Sequence, residues 1–194
     1  MKPIHLLCIS VLALTRNAWA ELEILQTDIQ LAPAERPAER GVGTVWRASK
    51  DGIPYSVTTT NVTDSSETLE DSDGCTWTRP KGFYPPSTEW ANCGGSDGSA
   101  SVKLNGDIFP LQVGKRWSYD VDGGNWQTSR DCEIEGTARV RTAVGENDTY
   151  KIVCTDRWNT RTRYYSPKLE TSVFLEWNRR TKSQRIHYEF LKFD

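Results

Sequence analysis

Four runs near the C-terminus decide the fold class: Tyr150-Lys151-Ile152-Val153-Cys154-Thr155, then Arg161-Thr162-Arg163-Tyr164-Tyr165, then Val173-Phe174-Leu175-Glu176-Trp177, then Gln184-Arg185-Ile186-His187-Tyr188-Glu189-Phe190. Each is five to seven residues of β-branched, aromatic and alternating polar side chains, and Asp, Asn, Ser and Pro fall between them. That is strand-and-turn vocabulary at hairpin spacing. Working upstream, Gly136–Val144 and Lys115–Val121 read the same way, and the second ends at the turn Asp122-Gly123-Gly124. Ser99–Leu104 runs into Asn105-Gly106, a two-residue hairpin signal. Cys75–Thr78 is a short strand. Tyr55–Val62 carries three consecutive threonines, stiff at χ1 and suited to a pleat. Gly43–Ala48 precedes the turn Asp51-Gly52. No amphipathic helix longer than two turns is legible after Gly41. The fold class is therefore all-β and antiparallel.

The chain of 194 residues divides into three parts. Residues 1–20 read as a signal peptide: Lys2 supplies the positive end, Ile4 to Leu14 the apolar run, and Ala18-Trp19-Ala20 a small-x-small cleavage site. Residues 21–40, with Pro33 and Pro37 in an Ala/Glu/Arg stretch, read as an extended leader or linker, with a short helix over Glu23–Leu31 as the alternative. Residues 41–194 form one β domain, a length that supports a real core. No second apolar run approaches the roughly 18 residues needed to span a bilayer. These features predict a periplasmic or secreted protein. Cys8 lies inside the apolar run after Leu7 and leaves with the signal; a lipid-anchor cysteine would follow a small residue at the cleavage point.

Four cysteines remain: Cys75, Cys93, Cys132 and Cys154. No CxxC pair exists, which argues against zinc and against redox chemistry. In an oxidising compartment they read as two structural disulfides, and proximity favours Cys75–Cys93 and Cys132–Cys154. Each would close a loop of roughly 20 residues, worth about 3 kcal/mol in the chain-entropy treatment.

The formal charge is −2. Neither half of the chain is basic enough to argue for nucleic acid. Alternation over Lys151–Tyr165 places Ile152, Cys154, Trp158 and Tyr164 on a core face. It places Arg157, Arg161 and Arg163 on a wet, basic face, where Arg139 and Arg141 of a partner hairpin would join them. Such a face is either an anion site or an ordinary solvated surface balanced by Glu133, Glu135, Asp156 and Glu176. Of the seven tryptophans beyond Trp19, Trp46, Trp117 and Trp158 fall in strands and read as core. Trp90 and Trp126 fall in loops and are the candidates for exposed contact. The candidate binding residues are thus Trp90, Trp126, Arg157, Arg161 and Arg163.

Catalytic signals are sparse. His187 is the single histidine after residue 20, too few for a protein-built zinc site. Gly94-Gly95-Ser96-Asp97-Gly98 matches a nucleophile-elbow pattern, but the following residues read as a strand where that mechanism needs a helix. Asp71-Ser72-Asp73-Gly74 opens like a calcium loop without its later ligands and reads as a turn into Cys75. No catalytic residue, metal or cofactor is expected.

Two segments carry a resemblance. Phe109-Pro110-Leu111-Gln112-Val113-Gly114-Lys115-Arg116-Trp117-Ser118-Tyr119, and Tyr150 to Cys154 with Tyr164-Tyr165-Ser166-Pro167-Lys168-Leu169, resemble the FPLxVGKxWxY and TYKV…YYSPxL segments of uncharacterised bacterial exported β domains. The match covers about the last 85 residues. Where the related pattern has PAGx(F/Y), this chain has Val144-Gly145-Glu146-Asn147-Asp148. The resemblance implies a single domain of curved antiparallel sheet, half-barrel or sandwich-like, of the kind used by carriers of apolar ligands. No functional residue carries over. The function expected is non-catalytic binding of a lipid or other apolar ligand inside the curve of the sheet. A protein-interaction or envelope accessory module is the second reading, and a hydrolase using Ser96 or carboxylates is the third.

Overall fold

A computed structural model of the chain describes residues 22–94 and 96–194. The signal-peptide reading lies outside the described residues. The described residues form fourteen strands: β1 Glu23–Thr27, β2 Val45–Lys50, β3 Ile53–Val62, β4 Ser66–Asp71, β5 Thr76–Pro80, β6 Glu89–Ala91, β7 Gly98–Ser99, β8 Ser101–Asn105, β9 Arg116–Asp122, β10 Gln127–Thr142, β11 Gly145–Thr155, β12 Asn159–Ser166, β13 Thr171–Arg179 and β14 Gln184–Phe193. A single 3-10 turn, Arg180–Lys182, joins β13 to β14. Every pairing is antiparallel, in the spatial order β7-β6-β5-β4-β3-β2-β14-β13-β12-β11-β10-β9-β8, and β1 adds to β10. The two ends of this path, β7 and β8, are separated in sequence by Ala100 alone. The result is one nearly closed, barrel-like sheet, the all-β architecture that the strand pattern predicts.

Local chemistry sets the turns. Asp51 and Gly52 both take positive φ, 49° and 82°, the two-residue geometry that matches strand twist. Asp71 ends β4 as an Asx-turn, its Oδ1 accepting the amides of Asp73 and Cys75 at 2.9 Å each. Both disulfides form as the spacing favours, Cys75–Cys93 and Cys132–Cys154. Cys132 and Cys154 are direct cross-strand partners on β10 and β11.

The main core joins Trp117, Tyr119 and Val121 of β9 to Cys132, Ile134, Tyr150, Ile152, Cys154 and Tyr165. The FPLxVGKxWxY segment acts as a strand anchor: Leu111 is fully buried, Gly114 turns at φ 83°, and Trp117 and Tyr119 face inward together. A second cluster, Ala138, Val140, Tyr164, Val173 and Phe174, lies on the opposite face. A register shift in β10 between Ile134 and Gly136 lets one long strand serve both.

Three expectations need correction. Glu23–Thr27 is a strand and not the start of a helix, because β9 covers β10 only as far as Glu133 and the edge beyond recruits the leader. Residues 28–40 are extended as expected but are sewn down. Thr137 Oγ1 donates to the Ile29 carbonyl at 2.6 Å, Tyr150 donates to the Ala32 carbonyl at 2.7 Å, and Ala34 bridges Leu111. Grooves of about 650 and 620 Å³ flank this strap. Lastly, Asn105-Gly106 does not close a two-residue hairpin. β8 and β9 do pair, but across a loop that carries Ile108 and Leu111 into the core.

Candidate binding site at the arginine and tryptophan end of the sheet

The turns β9–β10, β11–β12 and β13–β14 all lie at one end of the sheet, since successive antiparallel strands alternate direction. Asp156 organises that end. It follows β11, is 5% exposed, and its Oδ1 accepts the amides of Trp158 at 2.9 Å and Asn159 at 2.8 Å, together with Asn159 Nδ2 at 3.1 Å. Its Oδ2 accepts Arg130 Nε and Nη2 at 3.3 and 3.2 Å and Arg161 Nη1 at 3.1 Å. Arg180 donates to the Asp156 carbonyl, which ties in the β13–β14 turn. The Asp156 carboxylate thus holds its own turn and joins it to Arg130 of β10 and Arg161 of β12, and its backbone carbonyl ties in Arg180.

Around it the aromatic rings and guanidiniums interleave. Trp126 meets Trp158 edge-on at 5.1 Å. Arg157 lies over Trp158 at 5.7 Å, while Arg161 and Arg179 lie over Trp177 at 4.9 and 5.1 Å. Trp177 donates through Nε1 to Asn159 Oδ1 at 2.8 Å. Arg157 and Arg180 are exposed, and the three tryptophans are half-buried. Among the described residues, Arg157, Arg179 and Arg180 contact no carboxylate. The end therefore offers a surplus of fixed positive charge beside partly accessible indole faces.

The electrostatics follow from crowding. Burial, then the like charges of Arg130 and Arg163, pull the Arg161 guanidinium down to about 9, with Asp156 working the other way. Burial also lowers Arg130. All stay charged at neutral pH. Burial by itself would raise Asp156, but Arg161, the Trp158 amide and Arg130 hold it below the usual carboxylate range.

The sequence-predicted residues distribute as follows. Trp126, Arg157 and Arg161 come together at this end. Arg163 sits two residues further along β12, on the same inner face as Arg161. Trp90 does not join them. It belongs to β6, opposite Trp77 and Gly98, and its ring packs so closely that a Cβ at Gly98 would lie 2.4 Å away. The alternation read through Lys151–Tyr165 fails because the chain reverses at Asp156–Trp158. Arg161 lies opposite Cys154 and Arg163 opposite Ile152, so both share the core face, while Tyr164 points the other way opposite Lys151. Trp158 is consequently a turn residue and not a strand residue. Arg139 and Arg141 stand apart, six or more residues (roughly 20 Å) down the hairpin, in exposed ion pairs with Asp148, Glu146 and Glu23. Trp177, Arg179 and Arg180 were not singled out by the sequence, where they look like the end of an ordinary strand.

The remaining candidates resolve simply. Ser96 lies in the loop between β6 and β7, its hydroxyl donating to the Cys93 carbonyl at 3.0 Å, and a strand follows it. His187 of β14 stands between Asp51 and Glu176 at 3.7 and 3.6 Å. Among the described residues no cluster of three or more His, Cys, Asp or Glu is arranged to hold a metal, and no helix is long and apolar enough to cross a membrane. The interior expected to hold an apolar ligand contains the chain's own Phe83. That side chain, on the loop between β5 and β6, meets Tyr84, Phe109 and Tyr165 at 4.5 to 5.3 Å.

No protein-family model matches the chain, and no curated protein matches its sequence. Among solved structures, the chain is similar to the hypothetical lipoprotein YmcC from Escherichia coli, at 9% identity over 84% of this chain and 90% of that one, with a TM-score of 0.45. It is also similar to a Bacteroides fragilis protein described as exported and YmcC-like in fold, at 10% identity over 84% of this chain and all of the other, with a TM-score of 0.39. Neither likeness assigns a residue or an activity.

Proposed function

We propose that this protein is an exported, non-catalytic domain that binds an anionic amphiphile at the arginine and tryptophan end of its sheet. The observation that carries this reading is the imbalance there. Arg130 and Arg161 meet the Asp156 carboxylate, Arg180 meets its carbonyl, Arg157 and Arg179 lie over Trp158 and Trp177, and Trp126 packs edge-on against Trp158, so five guanidiniums stand with two carboxylates, Asp156 and Asp122 of the β9–β10 turn. Guanidiniums suit phosphate or carboxylate headgroups, and indole rings suit the adjoining apolar body. Export is supported by the signal-like first twenty residues and by the two disulfides, which persist in oxidising compartments.

The test is binding to vesicles of phosphatidylglycerol against vesicles of phosphatidylcholine, measured by co-sedimentation. Binding to the anionic vesicles alone, weakening with salt and reduced at least tenfold by R157A/R180A and by W126A, supports the reading. Equal binding to both vesicle types, or to neither, contradicts it. Binding to a soluble acidic oligosaccharide in place of vesicles would transfer the site to another ligand class.

A further inference from the structure

Arg163 differs from every other arginine near it. It projects from the middle of β12, opposite Ile152 on β11 and Leu175 on β13, into the interior of the sheet. Its guanidinium lies 4.3 Å from the centre of the Tyr84 ring. Tyr84 is held in place by a 2.7 Å hydrogen bond between its hydroxyl and Ser172 Oγ. A guanidinium carries five N–H donors. Among the described residues the Arg163 side chain finds no hydrogen-bond acceptor and no carboxylate, whereas Arg79 has Glu67 at 2.8 Å and Arg130 and Arg161 share Asp156. The positive fields of Arg130 and Arg79 both reach Arg163. Four interior guanidiniums therefore face two carboxylates. With no acceptor among the described residues, the Arg163 donors are left to solvent or to a ligand. A chain that keeps a guanidinium there, half-buried and still reachable by solvent, has placed a set of donors for something that arrives from outside.

We infer that Arg163, backed by Tyr84, is the seat of one small oxyanion, either free phosphate or sulfate or the same group carried on a larger ligand. The planar fork of Arg163 presents two parallel N–H donors to two oxygens of such an anion. The Tyr84 ring closes the opposite side of the guanidinium, which fixes the direction of approach. The seat is separate from the exposed arginines of the turns and stands whether or not an amphiphile binds there.

The experiment is thermal unfolding of the chain from Glu21 onward, with both disulfides intact, in low-millimolar phosphate against chloride of equal ionic strength. A seat filled to a hundred times its dissociation constant raises the folded-to-unfolded ratio about 100-fold, which reads as a rise of several degrees in Tm. R163M, which keeps the stem and removes the donors, should abolish the phosphate effect and melt no lower than the wild type in chloride. R163K should retain a reduced effect, and R157A/R180A should retain all of it. Sulfate behaving as phosphate does identifies a free oxyanion seat. Phosphate failing while a phosphorylated lipid headgroup succeeds identifies a carried one. An unchanged phosphate effect in R163M, or none in the wild type with either probe, overturns the inference. If R163M and R163Q both lose the fold in chloride, Arg163 is a structural support for Tyr84, and the inference is equally overturned.

Discussion

Asp156→Asn is the most informative single change at the organising end of the sheet. The Asp156 side chain is 2% exposed, and its two guanidinium partners, Arg130 and Arg161, are 14% and 15% exposed. Asparagine keeps an oxygen for the Trp158 and Asn159 amides, so the turn survives and the charge alone is lost. Leaving buried cations without their carboxylate costs about 3–5 kcal/mol; the residual exposure of the arginines puts the expectation near the lower figure. For a domain of this size each kcal/mol moves Tm by about 2–4 °C, so the midpoint should fall by roughly 6–12 °C. Alanine should cost about 1–2 kcal/mol more, because both turn amides then lose their acceptor. Thermal unfolding followed by circular dichroism at neutral pH measures it. Electrostatic origin has its own signature. Asp156 is held below its unfolded value, so its contribution is complete above the ordinary aspartate value near 3.8 and is lost as pH falls below that through the folded value. The D156N substitution removes that acid-side loss, and D156N/R161M should melt higher than D156N. A D156N protein within about 1 kcal/mol of wild type would refute the reasoning, since a surface pair is worth no more than that.

Other consequences are equally open to measurement. Glu189 is 3% exposed, its Oε1 accepts the Ala143 amide, and its Oε2 has no partner; burial raises its pKa despite that amide. Its contribution is therefore full below the ordinary glutamate value near 4.5 and is lost as pH rises through the folded value. E189Q should flatten the stability–pH curve on that side in urea titrations, and an unchanged slope would count against the assignment. Gly98→Ala would drive a Cβ to 2.4 Å from the Trp90 ring and should cost about 1–3 kcal/mol, with altered tryptophan fluorescence; a silent substitution would mean that the ring moves freely. Denaturing alkylation of the unreduced protein should label none of the four paired cysteines, and Cys132→Ser with Cys154→Ser should cost about 2–5 kcal/mol.

The architecture was legible where the strands are apolar on one side and bounded by turn residues. Lys115–Val121, Tyr150–Thr155 and Val173–Trp177 each fall inside an observed strand or within a residue of one. The disulfides were legible from proximity, because cysteines on neighbouring hairpin strands come into register. Strands β1, β4 and β6 were not legible. Glu23–Thr27 is mostly exposed and becomes a strand only because β10 outruns β9. Ser66–Asp71 carries one buried residue, Leu69. The first half of β10, Gln127–Glu135, is polar because its arginine and acids join interior and surface networks that composition cannot reveal. At the site, the basic character of Arg157, Arg161 and Arg163 was legible, but the face was not. A turn at Asp156 resets the period-2 alternation, and a single misplaced reversal moves every later side chain to the other face. Tertiary contacts, which no local pattern encodes, then brought Arg130 to the Asp156 carboxylate and Arg180 to its backbone carbonyl.

The central claim is that the arginine and tryptophan end takes an anionic ligand. Native mass spectrometry of the protein isolated from its own host, beside R157A/R179A/R180A isolated in the same way, tests it most directly. The account predicts a reproducible excess mass on the wild type that is lost on denaturation, corresponds to an anionic amphiphile and is absent from the variant. A bare wild-type protein that also takes up no phosphatidylglycerol when it is added, or the same adduct on both proteins, would contradict it.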